Sequence, residues 1–96
     1  MMATPQPYRS TPIFDSDTLP AALRKAHCTK AGVWGKLNVL EGRVRYVVEE
    51  TGEQHVVNAG NSVTILPQQL HHVEPIGDMR MQVSFYDSDP GRSRDA

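Results

Sequence analysis

Cysteine is almost absent from this chain of 96 residues, which has a single one at Cys28. One cysteine excludes an internal disulfide, and this favours a reducing, cytoplasmic location. No apolar run approaches the ~20 residues that a membrane-spanning helix needs. The N-terminal stretch MMATPQPYRS has neither the basic start nor the apolar segment of a secretory signal peptide. We therefore expect a soluble cytoplasmic protein that does not enter a membrane.

An excess of basic residues is also missing. The chain has 10 Lys and Arg against 11 Asp and Glu, for a net charge of −1, and its basic residues are scattered singly or in pairs. A nucleic-acid-binding surface normally needs a basic patch or stripe, so we expect no nucleic-acid partner. The length suffices for one modest core and one domain.

The two ends have the composition of loose segments. Two prolines and little apolar character mark the first seven residues, and the last ten are polar and include Pro90 and Gly91. The sequence therefore predicts a flexible N-terminus over 1–9, a folded domain over 10–87 and a flexible C-terminal tail over 88–96.

One short helix is predicted near the N-terminus. The residues Asp15 to Thr18 are possible N-caps, and Pro20 suits a first helical turn. The alanines and leucine that follow favour helix, which gives a helix over Leu19–Lys25. It is too short to be stable alone, so we expect it to pack on something larger.

From Gly32 onward the hydrophobic pattern has a period of two, which is typical of half-buried strands. Glu41–Gly42 is predicted to end the first strand before the second begins, and Ile76–Asp78 is predicted to form another turn. Six or seven short strands separated by turns every eight to twelve residues indicate an all-β antiparallel sandwich or barrel. In the first strand Val33, Gly35, Leu37 and Val39 are predicted to share one face. In the next strand Val44, Tyr46 and Val48 are predicted to point one way.

Histidines and a glutamate supply the candidate metal ligands. Imidazole nitrogens and carboxylate oxygens suit Zn, Ni, Fe or Mn, and the informative residues are His27, His71, His72 and Glu74. Strict alternation groups His72 with Glu74, because neighbours on a strand point to opposite faces. A bulge after the Pro67 loop would instead place His71 beside Glu74. The spacing alone leaves both arrangements open.

Simpler roles exist for these residues. An adjacent histidine pair in an extended polar stretch is often only a surface feature, and His27 would also suit the C-terminal end of a short helix. Cys28 adjoins His27, but no third orienting group supports a nucleophile. Trp34 and Lys36 share one face of a strand, where Trp34 is either a packing residue or a wall of a ligand pocket. Lys36 or Arg45 would attract an anion if it faced the barrel mouth.

Three stretches resemble a known family: HCTKAGVWGKLNVLEGRVRY, LPQQLHHVEP and the closing VSFY. The chain is similar over 10–86 to the TehB/YeaR-like cupin family, small domains found at the N-terminus of tellurite-resistance protein TehB and as free-standing proteins. The resemblance implies a cupin-type barrel, which is a double-stranded β-helix or jelly roll, with one short N-terminal helix.

The resemblance also implies a site. It favours His27, His71 and Glu74 as ligands of a divalent metal, with His72 as the substitute for His71, and with zinc preferred over nickel or iron. Trp34 and Lys36 are the predicted ligand-pocket residues. The first cupin metal motif is depleted, because Thr29 stands where a second histidine is expected, although Gly42 fits its closing glycine. The methyltransferase activity of TehB belongs to a separate, larger domain and is not carried over.

Three functions follow as hypotheses. The first is a metal-binding cupin that binds a small molecule or oxyanion in a tellurite or stress response. The second is a metal-free binding module, a homodimer that pairs through outward apolar residues such as Leu40 and Val47. The third is a metal-dependent dioxygenase or isomerase, for which Glu74 is the only plausible general base.

Overall fold

Two long strands form the centre of the sheet. In a computed structural model that describes residues 6–90, β3 (Trp34–Val48) and β6 (His71–Tyr86) pair antiparallel along nearly their whole length. The pairing runs from Trp34 opposite Tyr86 to Val48 opposite His71. Each half of β3 therefore has β6 on one side and is open to a shorter strand on the other.

Shorter strands complete the sheet on both sides, and every pairing is antiparallel. The second half of β3 pairs with β4 and its first half with β5, while β1 and β2 both pair with β6. The described residues thus form one six-stranded sheet, which confirms the predicted antiparallel β architecture. The bounds of these strands are β1 Arg9–Ser10, β2 Phe14–Asp15, β4 Gln54–Asn58 and β5 Ser62–Ile65.

The predicted alternation in β3 is confirmed. Its buried positions are odd-numbered up to Val39 and include the even-numbered Val44, Tyr46 and Val48 after it, with Val47 as the one exception to the alternation. The register of β3 against β6 shifts twice between Val39 and Arg43, as expected where a bulge inserts residues into one strand. Gly42 lies in this segment with φ +69°, and a Cβ there would overlap the carbonyl oxygen of Asp78. A glycine at this position lets the strand change its buried face without leaving the sheet.

The predicted breaks at Glu41–Gly42 and Ile76–Asp78 do not end strands. The two irregular stretches lie close to each other across the sheet, since Glu41 pairs with Arg80 and Arg43 with Ile76. Each long strand supplies pairing partners to the other on both sides of the irregularity. The backbone therefore continues through glycines that would otherwise favour turns.

The predicted helix over Leu19–Lys25 is wrong in kind and extent, because only a 3₁₀ turn over Ala21–Arg24 is present. Lys25 is already extended, with φ −117° and ψ 161°. The chain must straighten there because the backbone of His27 is hydrogen-bonded to His71. The candidate cap Asp15 instead accepts backbone hydrogen bonds from Asp17 and Thr18, both of 2.8 Å, and so organises the turn before the 3₁₀ segment.

The core consists of aliphatic and aromatic side chains from β3, β4, β5 and β6, with Leu19 added from the segment before the 3₁₀ turn. Val47, a predicted contact residue of a homodimer, is only 8% exposed within one chain, whereas Leu40 is 45% exposed.

The predicted flexible N-terminus over 1–9 is attached to the sheet at its end, because Tyr8 is hydrogen-bonded to β6 and Arg9 pairs with it. Residues 1–5 and 91–96 lie outside the described part. None of the described helical segments is long and apolar enough to cross a membrane.

Candidate ligand-binding pocket

His27 and His71 are held side by side by their own backbones. The amide of each donates to the carbonyl of the other, both at 2.9 Å, in an isolated antiparallel bridge. His27 follows the 3₁₀ turn, and His71 is the first residue of β6. The bridge brings the two imidazole rings to a centroid distance of 4.2 Å in an edge-on arrangement. Two imidazoles 44 positions apart in the sequence thus share one location.

The hydrogen bonds of the two rings fix which nitrogen carries the proton. Nδ1 of His27 lies 2.9 Å from the carbonyl oxygen of Lys25, and Nδ1 of His71 lies 2.8 Å from that of Gln69. A carbonyl oxygen only accepts, so Nδ1 is the donor in both rings and Nε2 of a neutral ring keeps its lone pair. Within residues 6–90, neither Nε2 has a hydrogen-bond partner. The pair therefore presents two unused acceptors.

Burial keeps His71 neutral. The residue is 1% exposed, and desolvation lowers its pKa below 6.5 even though the bond to Gln69 opposes the shift. The ring of Tyr46 lies 5.2 Å from that of His71 on the core side. Its hydroxyl is buried and has no partner in the described part of the chain, and burial raises the Tyr46 pKa to about 12. Both groups are therefore uncharged at neutral pH.

A pocket of about 340 Å³ opens beside the two histidines. Its walls are mainly apolar and come from β3, β5, β6 and the segment around the 3₁₀ turn. Arg9 and Lys30 also line it, whereas no aspartate or glutamate of the described residues does. The exposed Cys28 contributes to the wall as well. The apolar wall residues include Leu23, Leu37, Ile65, Val73, Val83 and Phe85.

His72 points to the other face of the sheet and has a different environment. Its Nε2 lies 2.7 Å from Glu74, its Nδ1 contacts Glu49, and Glu74 in turn accepts a bond of 3.0 Å from Arg45. Carboxylates accept hydrogen bonds, so His72 meets both only when both nitrogens are protonated. Its bonds to Glu74 and Glu49 raise the pKa of His72. The bonds from His72 and Arg45 lower the pKa of Glu74.

Strict alternation along β6 therefore separates Glu74 from His71. The register is unbroken from Val48 opposite His71 to Arg43 opposite Ile76, so the bulge that would have placed Glu74 beside His71 is absent. Arg45 lies directly opposite Glu74 and pairs with it on the outer face. Within residues 6–90, no group of three or more His, Cys, Asp or Glu side chains is arranged to hold a metal ion.

The predicted pocket residues Trp34 and Lys36 do not line the pocket. They alternate with the buried Gly35 and Leu37, so they lie on the outer face of β3. Arg45, the other predicted anion-attracting residue, is bound to Glu74. The pocket's cations are instead Arg9 and Lys30, which sequence reasoning missed. Arg9 lies in the predicted flexible end, and only its pairing opposite Phe85 reveals its position.

Comparisons with known proteins agree with this fold. The sequence model of the TehB-like domain matches residues 9–83. The chain is 33% identical over 85 residues to the probable S-adenosyl-L-methionine-dependent methyltransferase TehB of Haemophilus influenzae, covering 82% of this chain and 30% of that protein. It is 30% identical over 90 residues to the uncharacterized protein YeaR of Escherichia coli K12, covering 81% of this chain and 76% of YeaR.

Two crystal structures resemble the chain. That of TehB from Haemophilus influenzae superposes with a TM-score of 0.76 at 31% identity, covering 84% of this chain and 30% of that one. The crystal structure of an Escherichia coli K12 protein superposes with a TM-score of 0.79, covering 90% of this chain and 93% of that one. At 24% identity it shows a likeness of fold alone. This chain thus spans 30% of the length of the TehB relatives. With a family match over 9–83 and these relatives, the chain belongs to the TehB-like domain family.

Proposed function

We propose that this domain is a ligand-binding module of cupin type, whose pocket takes one small organic molecule at the His27–His71 pair. The observation that carries the proposal is the two Nε2 atoms without partners in the described chain, beside an open pocket of about 340 Å³. Pockets for small ligands in proteins measure roughly 300–1,000 Å³ and combine apolar walls with a few placed polar groups. This pocket has that size and that composition.

The chemistry of the pair favours a ligand that donates hydrogen bonds. Each Nε2 has no partner within the described chain, and a ligand hydroxyl or N–H would donate to its lone pair. The apolar walls would supply most of the affinity through burial of the ligand's hydrocarbon part. The two rings are fixed by backbone bonds on both sides, so little conformational entropy remains to be lost on binding.

A divalent metal is the second candidate occupant. In metal sites a coordinating imidazole usually donates its other N–H to a carbonyl or carboxylate, as both rings do here through Nδ1. Catalytic zinc, however, usually has three protein ligands, and the predicted third ligand, Glu74, lies on the other face. The residues fit a metal only in part. His27 and His71 would hold it, and a bound zinc, nickel or iron would supply Lewis acidity; no reaction step is assigned to it.

Binding rather than catalysis is proposed for this chain. The TehB relative is named a probable methyltransferase, but the chain matches 30% of its length. The general base that the sequence offered for a dioxygenase or isomerase, Glu74, lies on the other face of the sheet and does not line the pocket. A role in a tellurite or stress response rests on the relatives alone. We propose it as the setting of the binding function and not as a consequence of the pocket.

His71 and His72 are neighbours on opposite faces of the sheet, so their variants test whether the ligand binds at the pocket. We would measure binding of a fragment library to the wild type, His27→Gln, His71→Gln and His72→Gln by ligand-detected NMR. Each variant would first be checked for cooperative unfolding. Hits that bind the wild type and His72→Gln but neither of the other two variants support the proposal. Hits that bind all four proteins equally would place the ligand elsewhere and contradict it.

The same variants distinguish a bound metal ion from an organic ligand as the occupant of the pocket. Elemental analysis and calorimetric titration with zinc and nickel would be done on all four proteins. Metal binding by the wild type and His72→Gln, lost in the other two, supports the second candidate. Fragment binding that survives EDTA treatment, with no measurable metal binding, leaves the organic ligand as the occupant.

A further inference from the structure

The charged residues of the pocket wall, within the described part of the chain, are all of one sign. Arg9 and Lys30 line the pocket, and no carboxylate does. This is not an effect of composition, because the chain has more acidic than basic residues. An anion entering the pocket would therefore meet two positive charges and no negative one.

Arg9 has no acidic partner among the described residues, unlike two other arginines. Arg45 is bound to Glu74 at 3.0 Å, and Arg80 lies 3.9 Å from Glu41. The guanidinium of Arg9 instead lies 5.7 Å from the ring centroid of Phe85, a second wall residue. Stacking on an aromatic face orients the guanidinium while leaving its N–H groups free to donate. Arg9 thus combines a fixed position with unused donors.

Lys30 is held by an ordered loop. The side chain of Thr29 donates to the carbonyl of Val33 at 2.7 Å, and the amide of Val33 donates to the carbonyl of Lys30 at 3.0 Å. These bonds close the loop around Lys30, which lies three positions after His27. No acidic side chain in residues 6–90 pairs with Lys30 either. The second cation of the wall is therefore also available.

We infer that the ligand is a small organic acid whose carboxylate is bound by Arg9 and Lys30, and whose hydroxyl or N–H donates to Nε2 of His27 or His71. This rests on the proposed function and adds the ligand's charge and polarity to it. The part between the two polar ends is apolar, because Leu37, Val73 and Val83 line the pocket. A monocyclic hydroxy acid is one small molecule that combines these three features.

Three matched probes test each feature separately: 4-hydroxybenzoate has the acid and the donor, benzoate lacks the donor, and 4-hydroxybenzyl alcohol lacks the charge. Affinities would be measured by calorimetry, and the site located by NMR of the histidine side chains. We expect 4-hydroxybenzoate to bind most tightly, by about tenfold over either of the others, which corresponds to about 1.4 kcal/mol. Added salt should weaken the binding of the two acids and leave the binding of the alcohol unchanged.

Variants assign the charge to its residues. Arg9→Gln and Lys30→Met should each lower the affinity for 4-hydroxybenzoate to nearly that for 4-hydroxybenzyl alcohol. The affinity for the alcohol should not change. Lys36→Met is the matched control, because Lys36 does not line the pocket and its loss should alter neither affinity. Unfolding curves would verify that Arg9→Gln keeps the fold, since Arg9 pairs with Phe85 through its backbone.

The outcomes separate this inference from the proposed function. If the alcohol binds as tightly as the acid and shifts the resonances of His27 and His71, the acid inference fails and the binding function stands. The same conclusion would hold if neutral or cationic fragments were the only pocket ligands in the wider library. If no library member, acid or neutral, perturbs either histidine, both proposals fail.

Discussion

His72→Gln should destabilise the domain at mildly acidic pH and much less at alkaline pH. The substitution removes a protonated imidazole held between Glu49 and Glu74 while leaving the pocket face untouched. The side chains of His72, Glu49 and Glu74 are 18%, 32% and 45% exposed, so solvent screens both ion pairs. Exposed pairs contribute about 0.2–1 kcal/mol each, and two of them amount to about 1 kcal/mol.

The pH window follows from the two pKa shifts. The bonds to Glu74 and Glu49 raise the pKa of His72 above 6.5, so the folded state binds this proton more tightly than the unfolded chain does. The resulting stabilisation is complete below pH 6.5 and is lost as the pH rises through the raised pKa. The pKa of Glu74 is lowered from 4.5, so its contribution is present above pH 4.5 and is lost as the pH falls through the lowered value. Arg45 stays charged throughout.

Thermal unfolding of wild type and His72→Gln at pH 5.5 and pH 9 measures this. A loss of about 1 kcal/mol corresponds to about 4–8 °C in Tm for a domain of this size, expected at pH 5.5 and largely absent at pH 9. His55→Gln is the control, because His55 has one pair, with Glu53 at 3.1 Å, in which both side chains are more exposed. Its effect should be smaller. An equal loss for His72→Gln at both pH values would refute the electrostatic explanation.

Two further predictions concern the pocket histidine and the irregular part of the sheet. Because burial lowers the pKa of His71, the free energy of unfolding of the wild type in EDTA should fall as the pH drops below 6.5, and His71→Gln should reduce this pH dependence. An NMR titration of His71 with a midpoint above 6.5 would contradict this. Gly42→Ala should cost at least about 2 kcal/mol in urea unfolding, because its Cβ would overlap Asp78 and its φ is +69°. Gly52→Ala, with φ +74° and open space around it, should cost only about 1 kcal/mol; equal losses would rule out the overlap.

Much of the sheet follows from the period-two pattern. The buried face of β3 is readable on both sides of Gly42, because each half alternates between core and less buried positions apart from the buried Val47. The pattern does not show that the halves form one strand. A glycine flanked by polar residues favours a turn when considered alone, and only the facing strand β6 keeps the backbone extended through it. Strand length is here a property of the pair and not of either segment.

The site could be predicted only in part for a related reason. The resemblance favoured His71 as the inward histidine, and His71 is the residue that lines the pocket. Alternation alone already grouped His72 with Glu74, and the structure has that grouping. The preference for Glu74 as a ligand required a bulge for which the sequence offers no local signal, since no glycine lies between His71 and Glu74. The position of Arg9 depends on pairing with a strand more than 70 residues away.

The alternation of β6 also makes the two faces chemically independent. Desolvation lowers the pKa of His71, whereas bonds to Glu74 and Glu49 raise the pKa of His72. If Glu74 lay beside His71, its negative charge would favour protonation of that ring and oppose an anionic ligand. On the outer face the same carboxylate is neutralised by Arg45 and His72. The register that removes Glu74 from the expected metal site therefore also keeps its negative charge off the pocket wall, where Arg9 and Lys30 supply positive charge. That charge distribution is the one that the proposed organic acid would need.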